Sequence, residues 1–212
     1  MSTGRESRMP KTVRSDTARN RRHLVKAAVE LVAQKGADVR MSEVAERADV
    51  SLATAYRHFG SVDDALVEYR MEVGLKLYAY SVSSDAKGLE LLSAVSDYWI
   101  SLVMKHGQVM VTTRSREGFL KRLRSGARYL TVAADALAEP IRQAADELGL
   151  PDPGDQGMFL WNMMFDPREI FDMVETLGMT RAEVGERLVA AFCRALQGWA
   201  TSRQHAPTAK SA

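Results

Sequence analysis

A single cysteine, Cys193, stands in 212 residues. No internal disulfide can form, and a reducing compartment, the cytoplasm, is the default expectation. No uninterrupted apolar run approaches the roughly 20 residues needed to span a bilayer. The N-terminus is basic, but no apolar stretch follows it, so it does not read as a secretory signal. A Gly-rich phosphate loop and a G-x-S-x-G turn are also missing. The four histidines, His23, His58, His106 and His205, lie far apart and show no ligand spacing with Cys193 or a carboxylate. No metal or cofactor is therefore expected. Glu117 and Asp135 can be imagined as an acid/base pair, but surface helix charges explain them better, and the chain does not read as an enzyme.

What is present is an ordinary globular composition, 46% hydrophobic and 26% charged, long enough to bury a real core in one or two domains. The net charge is only +2, but it is unevenly placed. Residues 1–60 carry 12 Lys and Arg against 7 Asp and Glu, a balance of +5, and the remainder carries 17 against 20, a balance of −3. A basic end on a mildly acidic body suits phosphate binding at one end only.

The most informative stretch is RMSEVAERADVSLATAYRHFGSVDDAL, Arg40 to Leu66. Ser42 can cap a short helix whose apolar face is Val44, Ala45 and Ala48. Asp49-Val50-Ser51 breaks the pattern, and Ser51 can cap a second helix of two turns, Leu52 to Phe59. Val50, Ala55 and Phe59 point inward at helical spacing. Leu52, Ala53, Thr54, Tyr56, Arg57 and His58 are left for the outer surface or its margins. The small residues let a helix sink close to base edges, and Tyr56, Arg57 and His58 are donors suited to phosphate oxygens. Ser61-Val62-Asp63-Asp64 starts the next helix in the manner of a capping box, with acids at its positive end. Two short helices with a tight turn can place the second in a major groove; a three-helix protein-binding unit is the bland alternative.

The core V-S-L-A-T-A-Y-R-H-F-G-S, with the upstream AAVELVAQKGADVRMSEVAERA, resembles the DNA-binding domain of the TetR family of bacterial transcriptional regulators. The resemblance covers about residues 19–69 and is only general beyond them. It implies that Leu52–Phe59 is the recognition helix, with Leu52, Ala53, Thr54 and Tyr56 facing the groove. It implies a phosphate contact for His58, and contacts from Met41 and Ser42 at the start of the preceding helix. One departure is Val62, where the family usually has a phosphate-gripping lysine; backbone N–H groups at that helix start can still bind phosphate.

The whole chain reads as all-α. Residues 1–17 read as a basic arm, in which Arg5, Arg8, Lys11 and Arg14 can reach a minor groove, although a solvated tail is favoured. Residues 18–62 form the DNA-binding domain, 63–200 a ligand-binding and dimerisation bundle, and 201–212 a tail. Helices are expected over Thr17–Lys35, Asp63–Ser83, Leu89–His106, a short one near 108–117, Phe119–Leu148 with a Pro140 kink, Asp155–Phe165, one from Pro167, and Thr180–Trp199.

A two-half-site, palindromic operator needs two recognition helices about 34–36 Å apart, hence a homodimer. The resemblance implies that the last two long helices pair with their copies. Leu188, Ala191, Phe192, Ala195 and Trp199 are the interface expectation; the same stripe packing only within its own subunit is the alternative. The 11 methionines suit a cavity for an apolar effector, although such residues are more often plain core. Trp99, Met104, Met110, Tyr129, Trp161 and Met163 are candidates for its lining, with Asn162 and Arg114 to orient a polar group. Asn162 can equally cap a helix, and Arg114 can be surface. The expected function is a ligand-responsive regulator that a small, largely apolar molecule releases from DNA; the alternative is a ligand-independent DNA-associated or protein-interaction module.

Overall fold

The computed structural model describes residues 11–112 and 117–204, and among these there is no strand. Ten helices run in order: α1 Lys11–Lys35, α2 Met41–Arg47, α3 Leu52–His58, α4 Val62–Ser83, α5 Gly88–Thr112, α6 Phe119–Arg124, α7 Arg128–Glu147, α8 Gly154–Met164, α9 Pro167–Glu175 and α10 Arg181–Gln204. Two compact units divide between Tyr69 and Arg70, inside α4. The sequence had drawn that line at residue 63.

In the first unit α1 supplies Leu24, Val25, Ala27, Ala28, Leu31 and Val32 to the core. They meet Val44, Ala45 and Ala48 of the α2 segment and Ala55 and Phe59 of the α3 segment, all buried. Helix α1 begins at Lys11, so residues 11–17, expected as an arm, are helical; Arg5 and Arg8 lie outside the described residues. Ser42 does not cap α2. The helix starts two residues earlier, with Arg40 in the cap position, and the Glu43 carboxylate accepts the Arg40 backbone N–H at 2.9 Å. The salt bridge from Lys35 at 2.5 Å, then the Arg40 bond, hold the Glu43 carboxyl below its usual range.

Helix α2 ends in a Schellman turn with aspartate in the glycine place. Asp49 has φ 54, the one non-glycine positive φ among the described residues. Its N–H reaches the Glu46 carbonyl, and the Val50 N–H reaches the Ala45 carbonyl at 3.0 Å. Aspartate tolerates this left-handed conformation better than most residues. Ser51 then caps α3, its hydroxyl accepting the Thr54 N–H at 3.1 Å, as expected from sequence.

The second unit is built round α5, which packs on α7, α9 and α10. Leu92, Val95, Ile100 and Val103 of α5 are at most 1% exposed. The chain was expected to break near His106, yet α5 continues to Thr112. Gly107 explains the continuity. A Cβ there would come within 2.5 Å of the Phe171 ring and 3.1 Å of Val103, so the glycine makes room for α9 rather than ending the helix. The expected long helix over 119–148 is instead split into α6 and α7 at Gly126, whose φ is +80; Pro140 sits buried inside α7. Asp166 caps α9 by accepting the Arg168 N–H, with Pro167 in the first turn. Helix α10 opens on a reciprocal pair, Thr180 N–H to Glu183 at 2.8 Å and Glu183 N–H to Thr180 Oγ1 at 3.3 Å.

Gly107→Ala would gain about 1 kcal/mol of helix propensity but would overpack Phe171, at a cost of about 1–3 kcal/mol. The expected net effect is a loss of about 1 kcal/mol in chemical unfolding. A more stable variant would show that α9 yields freely at this contact.

Candidate DNA-binding face and effector cavity

Helix α3 has two turns and would not persist alone. Its inner side is Ala55, fully buried, followed by Phe59 at 3% exposure. Arg21 of α1 lies over the Phe59 ring, 4.4 Å from its centroid. The same guanidinium donates to the His58 carbonyl at 3.2 Å and forms a two-pronged ion pair with Glu68 of α4. One side chain thus binds the last carbonyl of α3, the aromatic anchor behind it and the next helix. Sequence reading missed Arg21 and Glu68, because they are 47 residues apart and each looks like an ordinary surface charge.

The outer side of α3 is open. Leu52 is 44% and Tyr56 55% exposed, and Ala53 and Arg57 are exposed beside them. Thr54 and His58 are half-buried. Thr54 Oγ1 accepts from the Ser51 hydroxyl at 2.9 Å and from Arg57 at 3.2 Å. Arg57 is therefore folded back along its own helix by one exposed bond, which costs only about 0.5–1.5 kcal/mol to release. Burial, then the charges of Arg21 and Arg57, hold the His58 imidazole below its usual pKa, with Glu68 opposing. His58 is thus neutral near pH 7.

Two residues expected near DNA differ. Ser42 is exposed, but Met41 is buried at 5% exposure. Its side chain faces the hydrophobic core because the first helical position of α2 points at α1. Val62, at the start of α4, is half-buried. Ser61 already accepts the Asp64 N–H there at 3.2 Å, so that helix start has fewer free donors than the sequence suggested.

The second unit holds a cavity of about 440 Å³. Arg70, Val73, Gly74 and Leu77 of α4 form one wall, and Trp99, Met110 and Val111 of α5 another. Tyr129, Leu130, Ala133, Ala134 and Leu137 of α7, Met158, Trp161 and Asn162 of α8, and Phe165 to Arg168 complete it with Glu117 to Phe119 and Arg122. Trp99, Met110, Tyr129, Trp161 and Asn162, named from sequence, are brought together here. Met104 is not in the lining, and Met163 is 52% exposed on the outer side of α8. Helix α8 presents Trp161 inward, and a residue two further on necessarily turns away. Arg114 lies outside the described residues.

An aromatic row backs the cavity. Trp99 and Trp161 lie 5.5 Å apart, Trp161 stacks on Phe165 at 4.8 Å, and Phe165 meets Phe192 edge-on at 6.5 Å. The Trp99 indole N–H donates to the Phe165 carbonyl at 3.0 Å. Phe192 is fully buried in this row and Leu188 is 9% exposed, so neither is free to face a partner, contrary to the expectation from sequence. The buried stripe of α10 runs Val184, Leu188, Phe192, Leu196 in steps of four. Ala191 and Ala195 are half-buried beside it. Trp199 is 40% exposed and stacks on Phe159 of α8 at 6.0 Å.

Of the imagined acid/base pair, Glu117 holds Lys121 at 2.7 Å and Asp135 is exposed. Among the described residues no group of three His, Cys, Asp or Glu side chains is placed to hold a metal ion. None of their helices is long and apolar enough to cross a membrane.

Residues 24–68 match the family model of bacterial regulatory proteins of the tetR family. The N-terminal domain is a TetR-type DNA-binding domain with a helix-turn-helix, which places the chain among DNA-binding transcription regulators. The all-helical body has the fold of TetR regulators. Similar solved structures include the fatty acid degradation regulator FadR from Bacillus halodurans, with TM-score 0.62 and 14% identity over 84% of this chain and 96% of that one. A candidate transcriptional regulator from Pseudomonas aeruginosa PAO1 has TM-score 0.60 and 16% identity over 93% and 96%. A tetR-family transcriptional regulator from Streptomyces coelicolor has TM-score 0.53 and 18% identity over 88% and 83%. No curated protein matches the sequence.

Proposed function

We propose that the chain is an effector-responsive repressor that binds a palindromic operator as a homodimer and leaves it when a small, largely apolar molecule fills the body cavity. Helix α4 carries the reading. It starts three residues after the recognition helix, with Glu68 in the Arg21 clamp, and continues into Arg70, Val73 and Leu77 of the cavity wall. A ligand that prefers one setting of that wall acts on the helix the DNA-binding domain is tied to. A hundredfold release from DNA needs only about 2.7 kcal/mol, or about 1.4 kcal/mol from each of two cavities.

Leu52, Ala53, Thr54 and Tyr56 enter the groove in this reading, Arg57 and His58 hold phosphates, and Ser42 contacts the adjoining backbone. The dimer forms through α8 and α10, where Phe159, Met163 and Trp199 are exposed together with Ala191 and Ala195 beside them. A DNA-associated module without a ligand would have no use for a cavity of about 440 Å³, a size within the range of roughly 300–1,000 Å³ common for small-molecule sites.

Fluorescence anisotropy with a labelled duplex from the gene's own upstream region tests the DNA assignment. Tyr56→Ala with His58→Ala should weaken binding about 10- to 100-fold at physiological salt, each lost contact being worth about 1 kcal/mol or more. Equal binding by wild type and double variant would contradict it.

The His58 pKa gives a second prediction. Its imidazole is neutral in the free protein, and a phosphate favours the protonated form. Binding then takes up a proton, so affinity rises as pH falls from about 8 towards 6, by up to about tenfold per unit within the window. His58→Gln should flatten this profile. Parallel profiles for wild type and His58→Gln would remove the phosphate contact.

A further inference from the structure

The body cavity is not uniformly apolar. Arg122 of α6 is half-buried on its wall, with its Nε shielded from solvent and without a hydrogen-bond partner. Its guanidinium makes one hydrogen bond, from NH1 to the Tyr129 hydroxyl at 2.8 Å, and meets no carboxylate among the described residues. The two acids of the lining are engaged elsewhere: Asp166 accepts from Arg168 at 3.2 Å, and Glu117 from Lys121 at 2.7 Å. A second guanidinium, that of Arg70, lies over the Tyr129 ring, 5.5 Å from its centroid. Two cations therefore converge on one phenol in the lining of a chamber that Trp99, Met110, Leu137 and Met158 also line.

A half-buried guanidinium without a counter-charge is costly to hold, and a native structure keeps one where something else neutralises it. A planar guanidinium matches a carboxylate, with two parallel N–H donors. Beyond them Trp99, Met110, Leu137 and Met158 offer apolar and aromatic surface to the rest of such a molecule, with Asn162 beside them in the lining.

We infer that the effector is an amphipathic carboxylate whose head sits between Arg122, Tyr129 and Arg70 and whose apolar tail lies against Trp99, Met110 and Met158. The inference rests on the effector-cavity reading above and adds the ligand's charge and the residue that selects it. Arg122 is a binding residue here.

The test uses the full chain and four probes in two matched pairs, decanoate with decan-1-ol and 2-naphthoate with 2-naphthalenemethanol, read by isothermal titration. Wild type should bind at least one carboxylate about tenfold or more tighter than its alcohol. Arg122→Gln should lose that preference while binding the alcohols as wild type does, which shows the chamber intact. Arg122→Lys, which keeps the charge but not the fork, should restore part of it. Alcohols that bind as tightly as carboxylates in wild type would overturn the inference, whether or not the variants fold, and would leave the cavity reading standing. A preference that survives in Arg122→Gln would also overturn it. Failure of all four probes to bind counts against the amphipathic class itself. Addition of the preferred carboxylate to the protein–DNA complex separates the two readings. Carboxylate-selective binding that leaves DNA affinity unchanged would uphold the inference and refute effector control.

Discussion

Everything at the DNA-binding end depends on the Arg21 guanidinium above Phe59. Helix α3, of seven residues, buries one alanine of its own and hangs from the aromatic residue that follows it. Propensity cannot hold such a helix, so tertiary contacts must. Arg21 supplies three at once: a cation over the ring, a donor to the last α3 carbonyl and an ion pair to α4. Its side chain is 43% exposed and that of Glu68 27%, so screening limits what the ion pair adds to stability. Its larger contribution is orientation. With the inner side of α3 held, the outer side must be Leu52, Ala53, Tyr56 and Arg57. The Schellman turn at Asp49 and the Ser51 cap set the opposite end of the helix.

The body solves a different problem. A chamber of about 440 Å³ needs walls that do not collapse into it. The aromatic row from Trp99 to Phe192, locked by the Trp99 bond to the Phe165 carbonyl, supplies one stiff wall. Close helix approach at Gly107 supplies another constraint, since α9 can lie against α5 only where a side chain is missing. Packing is thus concentrated in the surround, and the chamber stays open between these walls.

Local signals made the helix-turn-helix legible in the sequence: the cap at Ser51, the small-residue run after it, and the buried set Val44, Ala45, Ala48, Ala55 and Phe59. The all-α class followed from periodicity, and five of the eight lining candidates from residue type. What escaped was long-range. The helix from Leu89 was expected to stop at His106, because Phe171, which packs on Gly107, is remote in sequence. Arg122 escaped notice because its burial comes from other helices. Phe192 read as interface because the α10 stripe advances by four residues and carries it inward. Met41 was placed by resemblance, and the core claimed it.

The central claim is that the outer side of α3 is the surface DNA covers. Hydrogen–deuterium exchange of the full chain, with and without a duplex from the gene's upstream region, tests this directly. DNA should slow exchange in peptides spanning α3 and the start of α2, with the α10 core unchanged. Slowing confined to the body, or absent from Leu52–His58, would contradict the account.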